Sequence, residues 1–153
     1  QRGGGIPAAE SWAWHRQALQ TRQAQYDPRV ALRIRRGEAV KDHTELLAER
    51  KTWIARMQAA LAGFDALLSP TVPIVAPRLQ PLIDSDDAFF AANALLLRNP
   101  SLVNLLDGCA LSLPCHRRGD WPVGLMVWST AMADDRVLGV SLAIEAALAA
   151  SRD

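Results

Sequence analysis

Apolar residues recur at helical spacing along most of this chain, and proline or glycine stands near each place where the spacing stops. Trp12, Trp14, Leu19 and Tyr26 follow Pro7, which is placed to open a helix. Asp27-Pro28 then reads as an N-cap with proline at the first position of a short helix running to Gly37. Asp42 and Glu45 have the spacing of a capping box, and Leu46, Leu47, Trp53, Ile54, Met57 and Leu61 predict the most regular helix of the chain, ending at Gly63. The period then changes. In "FDALLSPTVPIVAP" the apolar run Ala66 to Leu68 is followed by Pro70, Pro73 and Pro77, which exclude a helix and predict a short buried strand entering a rigid loop.

Ser85-Asp86-Asp87 should cap a helix through Phe89, Phe90, Leu95 and Leu96, and Asn99-Pro100 should cap another that stops at Gly108. "CALSLPC" and "PVGLMVW" read as strands joined by the polar turn "HRRGDW", and Asp134-Asp135 should start a closing helix through Val137, Leu138, Leu142, Ile144 and Leu148. The expectation is an α/β fold of about six helices and three strands. Because the strands are near-continuous apolar runs, their sheet should be covered by helices on both faces. Three strands are few for such a sandwich, so further strands from another segment are expected.

With 153 residues, half of them hydrophobic, the chain can build one substantial core. Seventeen basic against sixteen acidic residues leave a net charge of +1, so no long-range field favours nucleic acid or an anionic membrane. Apolar runs such as "FFAANALLL" are too short to span a bilayer, and "QRGGGIP" lacks the regions of a signal peptide. Cys109 and Cys115 fit neither a disulfide framework nor a zinc pattern, so the default setting is the reducing cytosol, with no metal or cofactor. A start at Gln1 on a glycine run reads as a piece of something longer.

Cys115-His116 invites a nucleophile and base. Neighbours on a strand point to opposite faces, however, which separates thiol from imidazole. Cys109 is expected to be a small hydrophobe. Ser69, Ser112 and Ser129 flank or lie in strands, but none sits in a Gly-x-Ser-x-Gly elbow or a Ser-x-x-Lys motif, so their hydroxyls should be satisfied by backbone. His15 and His43 should be solvated, and "RGGGIP" is not a phosphate loop. Gly108 is expected to stop a helix, Asn104 and Asp107 to serve turn and capping geometry, and Gly124 to permit close packing. No complete catalytic constellation can be assembled from these residues.

Three stretches in order, "FDALLSPTVPIVAP", "NLLDGCALSLPC" and "WPVGLMVWSTAMADDRVLGVSLAIEAAL", resemble the C-terminal part of the amidase signature family. "DPRVALRIRRG" and the Arg50 helix also resemble it, so the likeness covers nearly all of the chain from about residue 8. Asn104 to Ala110 departs from the family's Asn-x-x-Gly-x-Pro-Ala by one extra residue and by Cys109 in place of proline, which suggests a subgroup.

The resemblance implies the C-terminal part of the amidase signature fold, a mixed β-sheet covered on both faces, with residues 1–153 forming one segment of a single domain. It implies hydrolysis of a small carboxamide by a Ser-cisSer-Lys triad in an N-terminal part that no residue here matches, so this chain alone should be inactive. Its expected partners are a small-molecule amide and that missing part, with no nucleic acid and no membrane. The uncovered sheet should also favour homo-oligomers. Arg33 aligns with an arginine that grips a substrate carboxylate in the amidotransferase branch, which suits a bidentate guanidinium. Arg98 and Asn99, directly after an apolar helix, are further candidates for substrate contact. The alternative is a non-catalytic binding or assembly module derived from the same fold.

Overall fold

The computed structural model describes residues 5–40 and 44–150, and the chain divides into two compact units, residues 1–52 and 53–153. In the first, α1 (Gly5–Arg22) and a 3-10 turn (Gln23–Gln25) lead to α2 (Pro28–Arg35) and a second 3-10 turn (Arg36–Ala39). Asp27 caps α2 as the sequence predicts. Its Oδ1 accepts from the N–H groups of Arg29 and Val30 at 2.9 and 3.1 Å, while Pro28 brings no orphan donor to the first turn. Leu19, Ala31 and Ile34 form the buried core of this unit, flanked by Trp12 and Tyr26. Gly37 lets the second turn lie on α1, because a Cβ there would overlap the backbone of Ala8 and reach 2.8 Å from Trp12 Cβ.

Helix α3 (Thr44–Leu61) follows the predicted apolar stripe, although none of it is fully buried. Asp42 of the expected capping box, and His43, lie outside the described residues. Beyond α3, Gly63 takes φ +92° and Phe64 N–H bonds Leu61 O at 3.1 Å, the stop expected of a glycine there.

The second unit is built on a three-stranded antiparallel sheet, β1 (Leu67–Pro70), β2 (Cys109–Pro114) and β3 (Gly124–Ser129), with β3 in the middle. Val127 lies opposite Leu68 on one side and Leu111 on the other, so these three share a sheet face. On that face α6 (Asp134–Ala150) contributes Val137 to a core with Leu113 and Val127, and Val140 and Ile144 pack beside it. The opposite face carries Leu67 and Ser69, Met126 and Trp128, Ala110 and Ser112, and on β2 these side chains are exposed.

Two features differ from the sequence reading. Instead of breaking at Asn99-Pro100, one helix, α5 (Asp86–Leu106), runs through Pro100. Asn99 does not cap: its side chain donates to Pro70 O, outside the helix, and Pro100 leaves α5 one backbone donor short. The predicted cap at the start of α5 is present, with Ala88 N–H bonded to Ser85 Oγ at 3.2 Å. The second difference is α4 (Leu79–Asp84), which follows the proline-rich stretch and for which the sequence predicts no element. Pro81 sits in its first turn, where a missing N–H breaks no helical bond.

Candidate functional site

Strands β1 and β2 both run antiparallel to β3, so Pro70, Pro114 and Gly124 meet at one end of the sheet. Polar groups collect there. Thr71 N–H donates to Gly124 O at 2.8 Å, and Thr71 Oγ1 lies 2.5 Å from Ser112 Oγ. These two hydroxyls come from opposite edges of the sheet and meet across the middle strand. Gly124 makes the crossing available, since a Cβ there would stand 2.5 Å from Ser112 Oγ and 2.6 Å from Thr71 Oγ1. From α5, Asn99 Nδ2 donates to Pro70 O at 2.7 Å. The adjacent Arg98 is exposed and makes no ion pair or hydrogen bond among the described residues.

The structure therefore places one expected site residue, Asn99, at this polar end of the sheet, with Arg98 next to it along α5. Arg33 lies in the first unit, exposed on α2 and without a polar partner among the described residues. Thr71, which the sequence reading does not single out, joins this polar cluster. Its signal was present in the sequence: it continues the alternation of Leu67 and Ser69, which puts its hydroxyl on the face opened by Gly124.

The cysteines do not form a nucleophilic pair. Cys115 Sγ and His116 Nδ1 both engage the backbone of Val123, the thiol donating to its carbonyl at 3.5 Å and the ring nitrogen lying 3.3 Å from its N–H nitrogen. Cys109 Sγ donates to Thr130 O at 3.4 Å, and both cysteines are free. Three expectations need correcting. Ser69 Oγ is buried without a hydrogen-bond partner among the described residues rather than satisfied by backbone. His15 is not simply solvated: its Nδ1 lies 2.9 Å from Tyr26 Oη, with the rings edge to face, which ties α1 to the turn before α2. Gly108 is also not the helix stop. Asp107 takes the left-handed conformation at φ 60°, and Gly108 instead permits close approach to Ser129 O.

Among the described residues no group of His, Cys, Asp and Glu could hold a metal ion. No helix among them is long and apolar enough to cross a membrane. What the site offers is a free guanidinium, an amide oxygen and a hydroxyl pair with one O–H left to donate. Such groups bind and orient carbonyl or carboxylate oxygens. They do not supply a nucleophile with its base.

Comparison with known proteins gives one consistent result. The profile of the family described as "Amidase" matches residues 6–138. A 2-amino-5-chloromuconic acid deaminase from Comamonas testosteroni is 35% identical over 150 residues, covering 95% of this chain and 32% of the deaminase. A glutamyl-tRNA(Gln) amidotransferase subunit from Thermobifida fusca (strain YX) is 38% identical over 101 residues, 64% of this chain and 20% of that protein. A crystal structure of an amidase superposes with a TM-score of 0.71 at 28% identity, covering 90% of this chain and 32% of that one. The chain thus spans about a third or less of the length of these proteins.

Proposed function

This chain belongs to the amidase family, and from that premise we propose that it is the C-terminal part of an amidase hydrolysing a small carboxamide, with a Ser-cisSer-Lys triad upstream of these residues. The observation that carries the reading is the family match over residues 6–138. The third of the deaminase that this chain covers fits a segment that needs the rest of the domain. Within such an enzyme the serine oxygen would attack the amide carbon, its proton passing through the second serine and the lysine to the departing ammonia, and water would then hydrolyse the acyl-serine ester to release the acid and restore the serine. The present residues build sheet and substrate contacts.

Arg33 would grip a substrate carboxylate in bidentate fashion, for which an unpaired, exposed guanidinium is suited. Arg98 would contact the substrate directly. Asn99 would use Oδ1 or its second amide N–H, because one N–H is committed to Pro70 O. The free thiols of Cys109 and Cys115 support a cytosolic setting.

The experiment is an ammonia-release assay on a panel of small amides, run on this chain alone and on the chain joined to its upstream part. Turnover is expected only from the joined protein. In that protein Arg33→Ala should raise KM for carboxylate-bearing amides by about tenfold or more, the usual scale for a charge-assisted hydrogen bond. Turnover by the isolated chain that Cys115→Ser abolishes would replace this reading with a thiol enzyme. Inactivity of both forms would favour the assembly module.

A further inference from the structure

One peptide group at the end of the sheet is held from both sides. The carbonyl of Pro70 accepts from Asn99 Nδ2 of α5 at 2.7 Å, and the N–H of Thr71, at the other end of the same planar unit, donates to Gly124 O of β3 at 2.8 Å. The side chain of Thr71 then reaches across β3 to Ser112 of β2 at 2.5 Å. A single residue junction therefore ties together a helix and all three strands. It is also the root of the loop containing Pro73 and Pro77, whose fixed φ angles transmit the orientation of the first peptide along the segment.

We propose that Thr71, Ser112 and Gly124 are positioning residues of the substrate site. They hold the root of the proline-rich loop and, through Asn99, the segment of α5 that carries Arg98 in one arrangement. This rests on the amidase reading above. Three observations support it beyond simple packing. Arg98 stands next to the clamped Asn99 and has no polar partner among the described residues, so its placement is left to the backbone that carries it. The Ser112 side chain is exposed, so its hydroxyl would be fully hydrated without the bridge and desolvation does not force the pairing. The bridge further requires a bare backbone at position 124, where any other residue would fill the gap.

Donors and acceptors on one peptide plane reinforce each other, so the junction should behave as a unit rather than as three independent bonds. Its effect is on where the amide sits, and hence on binding. The serine–lysine proton relay is untouched.

The test uses the complete protein with propionamide and succinamic acid, a neutral and a carboxylate-bearing amide, among its substrates. Thr71→Val and Gly124→Ala should each raise KM about tenfold for whichever amide is turned over, with kcat changed less than about threefold, the split expected when ground-state and transition-state binding are lost together. Thr71→Ser keeps the hydroxyl and should restore KM to near wild type. The double variant Thr71→Val/Ser112→Ala should be no worse than Thr71→Val alone, since both remove one bridge. A lowered melting temperature with unchanged KM in Thr71→Val and Ser112→Ala would overturn the proposal and leave the bridge a structural feature only. Additive losses in the double variant would equally overturn it. If the complete protein releases ammonia from no amide, the amidase reading falls and this proposal falls with it; turnover with unaltered KM in the variants removes the proposal alone.

Discussion

Glycine at position 108 is one methyl group short of a collision. A Cβ there would run into the carbonyl oxygen of Ser129, at the far end of the sheet from Gly124. Gly108→Ala should therefore destabilise the unit by about 1–3 kcal/mol, the usual cost of overpacking, measured as a lower urea midpoint with unchanged slope. Asp27→Ala removes the acceptor of two N–H groups and should cost about 1 kcal/mol by the same measurement. The capping role of Asp27 was legible because the Asp-Pro pair states its geometry locally. The fates of Ser69 and Gly108 were not, since each depends on a neighbour brought close by tertiary folding.

At the scale of elements, α5 shows how a local signal is overridden. Asn followed by proline is a good cap-and-start pair, yet the helix continues, and Asn99 bonds Pro70 O, a tertiary acceptor invisible in the local sequence. Pro100→Ala would restore a donor to the α5 ladder and remove the ring's clash with the preceding turn. It should stabilise the protein by about 1–3 kcal/mol, read as a raised melting temperature. The strands were easier to read. "CALSLPC" and "PVGLMVW" lie within a residue or two of β2 and β3, the usual scatter of element ends, because turn residues bracket both. The face that α6 covers was not legible, since the strands read as near-continuous apolar runs, and only the register brings Leu111, Leu113 and Val127 to one side.

Across the whole molecule the apolar surface is uneven. Leu138 and Leu142, one turn apart on α6, are 50% and 68% exposed, on a helix whose other side packs on the sheet. A helix apolar on more than one side is usually buried on more than one side. The chain by itself should self-associate, and Leu142→Gln should shift its sedimentation profile towards monomer. Family and fold class could be read from the order of three short motifs, whereas the junction at Thr71 could not, because its members are far apart along the chain.

The strand order has a consequence for synthesis. The central strand of the sheet, residues 124–129, is the last of the three to be made, and β1 and β2 pair only with it. Until it emerges from the ribosome, β1 and β2 lack a partner; β2 pairs with the next strand in sequence, but β1 must wait for one far along the chain. Sheets closed by distant segments fold slowly and expose sticky edges meanwhile. Nascent chains of this protein should therefore depend on chaperones until Ser129 has been translated.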